Sequence, residues 1–187
     1  MFKGMWITGI VLPFLLITTL WAKPLSTEYL TPAKPLLFTS QFLYVNDQLW
    51  GYLRLGLTYL ESPEPTSPPE DIPPAYMHPD ARGFGTYGLS PEAYEDVRRL
   101  YPDFKDCSWQ DILSSHQLYE LANRAFADLL LRNLQEYIPN NATQEEIFDI
   151  IHKAWNLGLT GFKSGRETVE SRGKRAEEFK IAWGNNH

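Results

Sequence analysis

Residues 40–62 read SQFLYVNDQLWGYLRLGLTYLES, and this stretch decides how the chain begins its fold. Apolar side chains recur in it every three or four residues, which gathers them on one side of an α-helix. These positions are Phe42, Val45, Leu49, Leu53, Leu57 and Leu60. Ser40 offers a side-chain oxygen that can cap the first turn. The pattern predicts an amphipathic core helix from Gln41 to Glu61.

Two further helices are predicted after this one. Residues 62–75 are rich in proline, which removes backbone donors, so an extended loop follows the first helix. The pair Ser90–Pro91 is typical of a helix start and predicts a helix over residues 91–100. Apolar residues at helical spacing predict the longest core helix over residues 111–137, interrupted near Ser114–Ser115.

The C-terminal part of the chain also carries helix signals. Thr143 and Glu146 have the spacing of a capping box, which opens a helix that should end near Gly158. Residues 166–183 form a last amphipathic segment. No segment alternates between polar and apolar residues for long, so strands are not indicated. We therefore expect an all-α fold.

The N-terminus has the features of an export signal. Lys3 precedes an apolar run over residues 5–21, and Ala22 supplies the small residue that signal peptidases prefer. Residues 1–22 are therefore predicted to be a cleaved secretory leader. The alternative is an uncleaved membrane anchor formed by residues 5–21, whose length is near the lower limit for a span. Either interpretation places the rest of the chain outside the cytoplasm.

The remaining residues suit a linker and one globular domain. Residues 23–40 are rich in Pro, Thr and Ser, and residues 41–187 have the composition of a soluble domain, since the chain is 43% hydrophobic and 21% charged. The net charge of −6 and the lack of a basic cluster argue against nucleic acid as a partner. Cys107, the only cysteine, has no partner for an intrachain disulfide and is expected in the core.

Glu61 is the first candidate for chemistry. It ends the first predicted helix directly before a loop, where the apolar helix face and the negative end of the helix dipole both favour a protonated carboxyl group. Such a group can act as a general acid. The alternative is a solvated glutamate at a helix end. His116 and His152 lack metal-ligand spacing, and no phosphate-binding loop is present, so neither a metal nor a cofactor is expected.

Three motifs occur in an order that identifies a resemblance. They are Glu61-Ser62, then Gly85-Thr86-Tyr87-Gly88-Leu89, then Ala154-Trp155-Asn156-Leu157-Gly158. This order, behind an export signal, resembles the soluble lytic transglycosylases of the lysozyme-like superfamily. The resemblance covers residues 41–161 and implies a helical, lysozyme-like catalytic domain with a substrate groove.

The resemblance also implies an activity. Glu61 would be the catalytic acid and base that cleaves the β-1,4 bond between N-acetylmuramic acid and N-acetylglucosamine in peptidoglycan, leaving 1,6-anhydro-N-acetylmuramic acid. The residues implied in substrate binding are Ser62, Tyr87, Gly88, Leu89, Trp155 and Asn156. Among them, Ser62 would steady the loop after Glu61, and the Tyr87 side chain would line the groove.

The chain departs from the family pattern in three places. Ser90–Pro91 follows Gly-Leu where the family has Met-Gln, and Trp155 replaces a tyrosine. The proline-rich link before the second motif is also lengthened, and it brings in additional acids. These acids are Glu64, Glu70, Asp71 and Asp80.

Two alternatives to a lytic transglycosylase stay open at this point. A muramidase would use a second acid from residues 64–80 to activate water, and an inactive peptidoglycan-binding or scaffold protein would keep the fold without turnover. Each implies the periplasm or cell envelope of a bacterium, with anchoring in the inner membrane if residues 5–21 are retained. The expected partners are peptidoglycan glycan strands, together with proteins of the cell envelope or of a secretion apparatus.

Overall fold

Helices form most of the fold in the computed structural model, which describes residues 42–61, 69–78, 82–167 and 170–184. In chain order the α-helices of these ranges are α1 (Asp47–Glu61), α2 (Pro91–Leu100), α3 (Trp109–Ser114), α4 (His116–Asn133), α5 (Gln144–Lys163) and α6 (Glu170–Gly184). Short 3-10 turns occupy Pro69–Asp71, Pro102–Phe104 and Gln135–Tyr137. The described ranges contain no strand, only isolated β-bridges from Phe84 to Met77 and Leu89. The prediction of a mainly helical fold is confirmed.

The helices pack around α4 and α1. Helices α2, α3 and α5 lie against α4, while α5 and α6 lie against α1. The apolar positions predicted for α1 face this core, since Leu53 and Leu57 are fully buried and Phe42 is partly buried against it. Gly56 lets α1 approach its neighbours, because a Cβ there would lie 2.6 Å from Phe148 Cζ. The core therefore joins the N-terminal helix to both C-terminal helices.

Helix α1 begins later than the sequence pattern predicts, at Asp47 instead of Gln41. The Asn46 side chain accepts a hydrogen bond from the Leu49 N–H at 2.9 Å and so caps the helix. The Tyr44 and Val45 N–H groups donate to Asp128 Oδ1 at 2.7 and 2.8 Å, which holds this segment out of the helix. The predicted start was wrong because a carboxylate far along the chain competes for these amides.

Asp128 itself is buried, at 2% exposure, and both of its carboxyl oxygens accept hydrogen bonds. Its second oxygen accepts a hydrogen bond of 2.7 Å from the Tyr101 hydroxyl, in addition to the two backbone bonds at its first oxygen. Arg124, one turn earlier on α4, donates to the Val45 carbonyl and pairs with Asp47 at 2.7 Å. Helix α4 therefore fixes where α1 starts.

The caps predicted for α2 and α5 are confirmed. The Ser90 side chain accepts from the Ala93 N–H and starts α2, and Thr143 and Glu146 form a complete capping box on α5. The interruption between α3 and α4 falls at Ser115, as the sequence predicts. The first stretch of α5 ends at the non-helical Gly158, as the sequence predicts, and a second helical stretch follows it as far as Lys163. Helix α6, predicted from residue 166, is described from Glu170 to Gly184.

Several predictions fall outside the described residues. These are the leader or anchor over residues 1–22, the linker over residues 23–40, the Ser40 cap, and the side chains of Ser62, Glu64 and Asp80. In the part of the chain that is described, no helix combines the length and hydropathy that a bilayer crossing requires. Cys107 is buried, as expected.

Candidate functional site

One cleft gathers residues from all three sequence motifs. Its volume is about 910 Å³, and it is walled by the end of α1, the loop before α2, α2 itself, α4 and the second half of α5. Predicted site residues that line it are Glu61, Gly88, Leu89, Trp155 and Asn156. A cleft of this volume is at the upper end of the range for small-molecule sites.

Glu61 is the last residue of α1 and is partly buried at one wall of the cleft. Its carboxylate lies beside the second motif, because a Cβ built on Gly88 would be 3.7 Å from Glu61 Oε2. Gly88 has a φ of 66°, a conformation that side chains other than glycine rarely adopt. The backbone of the loop therefore passes the carboxylate with no side chain between them.

The loop around Gly88 is a tight turn closed on itself. The Phe84 N–H donates to the Leu89 carbonyl at 3.0 Å, and the Leu89 N–H returns a bond of 3.1 Å to the Phe84 carbonyl. Gly85 also has a φ of 66°, and a Cβ there would lie 2.5 Å from Tyr119 Cζ. Glycine is required at this position by both the backbone angle and the packing. We call residues 83–89 the glycine loop.

Tyr119 on α4 holds the glycine loop from the core side. Its hydroxyl donates to the Phe84 carbonyl at 2.6 Å and accepts a bond of 2.9 Å from the Tyr87 N–H. Burial raises the pKa of Tyr119 well above its usual value, so this hydroxyl keeps the proton that it donates. The rings of Tyr87 and Tyr119 stack with centroids 5.7 Å apart. The glycine loop is therefore attached to the most buried helix of the core.

The expectation that the Tyr87 side chain lines the groove is wrong. Tyr87 is 1% exposed, and its hydroxyl donates to Glu120 Oε2 at 2.6 Å, away from the cleft. Burial, followed by the nearby Glu120 charge, raises the pKa of Tyr87 far above its usual value. The Trp50 indole N–H and Arg54 donate to the other oxygen of Glu120. Tyr87 therefore anchors the glycine loop and leaves only backbone atoms near the site.

The third motif supplies the opposite wall. The Trp155 Nε1–H donates to the Tyr87 carbonyl at 3.0 Å, and its ring meets Phe126 edge-on with centroids 4.7 Å apart. Asn156 Nδ2 donates to the His152 carbonyl at 2.9 Å, while its Oδ1 is buried with no hydrogen-bond partner among the described residues. Trp155 therefore links α5 to the glycine loop.

Gly158 breaks α5 at the edge of the cleft. Its φ of 67° and ψ of 166° are not helical, yet nothing lies within 4 Å of where its Cβ would be. Glycine is therefore needed here for backbone conformation and not for space. The break turns the residues after Gly158 so that Leu159 and Thr160 also line the cleft.

The structure shows where the residues that depart from the resembling pattern lie relative to the cleft. Ser90 lines the cleft, but its side chain is committed to capping α2, where it accepts from the Ala93 N–H at 3.2 Å. Of the acids in the lengthened link, Glu70 and Asp71 are exposed on a 3-10 turn and do not line the cleft. Pro91, which stands where the resembling pattern has glutamine, has no side-chain amide.

Other cleft residues were not foreseen from the sequence. Glu92 and Asp96 line the cleft from α2, and their spacing of four residues is a signal that both lie on one helix face. His78 lines it from the segment before the glycine loop, with Arg82 and Arg166 also in the wall. For His78 and the two arginines, no periodic pattern in the sequence pointed to the cleft.

The described residues contain no group of three or more His, Cys, Asp or Glu side chains arranged to hold a metal ion. His116 is exposed at the start of α4, and His152 is buried with its ring stacked on Phe148.

Comparison of the chain with protein-family models, with curated proteins and with solved structures finds no match.

Proposed function

We propose that the chain is a peptidoglycan lytic transglycosylase with a lysozyme-like fold, and that Glu61 is its catalytic acid and base. The observation that supports this most is the convergence of Glu61, the Gly88–Leu89 backbone and the Trp155–Asn156 pair on one cleft. These residues come from three segments separated by 26 and 65 intervening residues, which are residues 62–87 and 90–154. Chance motif matches would have no reason to meet in space.

The proposed reaction uses one carboxylate in two steps. Protonated Glu61 donates its proton to the glycosidic oxygen as the bond from that oxygen to the muramic acid C1 breaks. The Glu61 carboxylate then accepts the proton of the C6 hydroxyl, whose oxygen bonds to C1 and closes the 1,6-anhydro ring. No water is consumed, so a second carboxylate of the kind that most glycoside hydrolases use is not required.

The other cleft residues would position the sugar. Gly88 lets the sugar approach the backbone because it has no side chain. Asn156 forms part of the cleft wall, with its Nδ2 bonded to the His152 carbonyl and its Oδ1 buried beneath the surface. The Trp155 N–H is already bonded to the Tyr87 carbonyl, so this residue would contribute the surface of its ring. The substrate places the activity in the periplasm or cell envelope, which agrees with the export signal predicted from the sequence.

A muramidase is the second candidate, and one observation favours it. Glu92 and Asp96 line the same cleft as Glu61, so a second carboxylate is available to activate water. The site of this alternative therefore moves from the lengthened link, where it was predicted, to helix α2. Glu70 and Asp71 lie outside the cleft and cannot fill that role without rearrangement.

Loss of the transferable proton is the test of the proposal. The full-length protein should release soluble fragments from dye-labelled sacculi, and Glu61→Gln should fold normally while losing at least about 100-fold in rate. Glu70→Gln is the matched control, because it makes the same change at an exposed position outside the cleft. Wild-type rates in Glu61→Gln would refute the proposal, and binding to sacculi without release would indicate the inactive binding protein instead.

A further inference from the structure

His78 has a fixed orientation beside the glycine loop. Its backbone N–H donates to the Gly83 carbonyl at 2.9 Å, and its ring Nε2 lies 2.6 Å from the Gly85 carbonyl oxygen. The Tyr76 ring packs against it edge-on, with centroids 5.9 Å apart. The side chain is partly buried and lines the cleft. Its ring is therefore held on two sides by the fold and faces the cleft.

The contact with Gly85 determines which ring nitrogen carries hydrogen. A carbonyl oxygen can only accept, so Nε2 must be the donor in this bond. In the neutral ring the other nitrogen, Nδ1, is then an acceptor. The fold uses one nitrogen of His78 and leaves an acceptor on the other.

His78 and Glu61 are neighbours across Gly88. A Cβ built on Gly88 would lie 3.7 Å from His78 Cε1 and 3.7 Å from Glu61 Oε2, and these two residues provide its three nearest heavy atoms. Two atoms that are each 3.7 Å from one point are at most twice that distance, 7.4 Å, apart. Because this is an upper limit, a single sugar residue with a hydrogen bond of about 3 Å at either end is long enough to reach both side chains. One sugar residue can therefore contact both side chains through two of its oxygens.

The charged neighbours in this cleft are of both signs. Arg82 and Arg166 line it together with Glu92 and Asp96. A neutral, hydroxyl-rich ligand suits such a mixed wall better than a strongly charged one, since neither sign of charge dominates. An acceptor nitrogen beside a carboxyl group matches the hydroxyl groups of a sugar.

We propose that His78 is a second substrate-binding residue of this site, with Nδ1 accepting a hydrogen bond from a hydroxyl of the sugar whose glycosidic oxygen Glu61 protonates. This inference rests on the proposed function and adds a residue to it. His78 stands close to the Glu61 carboxylate on the side of the glycine loop, where Pro91 has no side-chain amide to offer the substrate.

Two substitutions separate the two nitrogens of the ring. His78→Gln places an amide N–H near the position of Nε2 and removes the acceptor at Nδ1, whereas His78→Asn places an amide oxygen near Nδ1 and loses the bond to Gly85. Purified full-length variants would be compared for melting temperature and for the rate of fragment release from labelled sacculi. His116→Gln, at an exposed position outside the cleft, is the control.

The inference predicts that His78→Gln melts close to the wild type and cleaves about three- to tenfold more slowly, the cost of one hydrogen bond to substrate. His78→Asn should melt lower and, per folded molecule, cleave faster than His78→Gln. A ¹⁵N NMR titration of the Glu61→Gln protein with the N-acetylglucosamine tetramer should shift the Nδ1 resonance of His78 and leave that of His116 unchanged.

Three results would overturn the inference. If His78→Gln cleaves like the wild type while His78→Asn does not, the residue only supports the Gly85 carbonyl. If Nδ1 of His78 does not respond to the tetramer while other cleft residues do, the residue does not bind sugar. If the wild-type protein releases no fragments and does not bind the tetramer, the proposed function fails and the inference fails with it.

Discussion

Removal of one hydroxyl group, in Tyr119→Phe, should loosen the glycine loop. The variant keeps the ring that stacks on Tyr87 but loses two hydrogen bonds of 2.6 and 2.9 Å. The Phe84 carbonyl still accepts a bond from the Leu89 N–H, so the loss of the bond from the Tyr119 hydroxyl costs about 1 kcal/mol. The Tyr87 N–H is left buried without this partner, which costs about 1–3 kcal/mol. The expected destabilisation is therefore about 2–4 kcal/mol.

Thermal unfolding followed by circular dichroism measures this change. A loss of about 2–4 kcal/mol should lower the melting temperature by roughly 4–16 °C for a chain of this length. Fragment release from sacculi should fall too, because the loop no longer holds Gly88 beside Glu61. Tyr59→Phe is the matched control, since its hydroxyl makes an exposed contact of 3.4 Å with Glu178. If both variants melted within 1 °C of the wild type, a criterion of about 0.3–0.5 kcal/mol, the assigned anchoring role would be wrong.

Two glycines of α1 should respond in opposite directions to alanine. Gly56→Ala should lower the free energy of unfolding by about 1–2 kcal/mol in denaturant titrations, because overpacking against Phe148 outweighs the gain in helix propensity. Gly51→Ala has open space around its Cβ and should raise it by about 0.5–1 kcal/mol; destabilisation there would contradict the packing described for α1. Glu92→Gln and Asp96→Asn should each retain fragment release within about threefold of wild type, since no water is activated. A 100-fold loss in either would point to a hydrolytic base.

The parts of the fold that local chemistry determines were predictable from the sequence. Ser90 and Thr143 cap helices because their side chains reach backbone N–H groups three residues later, so a few letters contain the whole interaction. The apolar spacing over residues 42–60 likewise identified which face of α1 is buried. The break at Ser115 has the same origin, because its side chain caps α4.

The misplaced features depend on contacts between distant residues. The start of α1 is set by Asp128, which lies 84 positions after Tyr44, and no local pattern contains that pairing. Tyr87 was expected in the groove because it stands between glycines of a loop. Its hydroxyl instead bonds to Glu120, 33 positions away, and carries the ring into the core. Both errors come from buried polar groups that required partners elsewhere in the chain.

The candidate site was predictable only in part, for a related reason. Glu61 and Asn156 were singled out by motif order, and the structure brings them to one cleft. His78 was missed because its importance comes from the turn that places it against Gly85, and the sequence pattern does not reveal that turn. Glu92 and Asp96 are visible in the sequence as a pair four residues apart, but the same spacing is common on any solvent-exposed helix face and does not identify a site.

The identity of the product tests the central claim most directly. Sacculi digested by the purified full-length protein would be analysed by mass spectrometry, with Glu61→Gln run in parallel as the control for contaminating enzymes. The account predicts that the released muropeptides end in 1,6-anhydro-N-acetylmuramic acid, lighter by one water than hydrolysed ends, and that the variant releases almost none. Reducing ends that borohydride converts to alditols would contradict it and would make Glu92 and Asp96 the first candidates for a water-activating base.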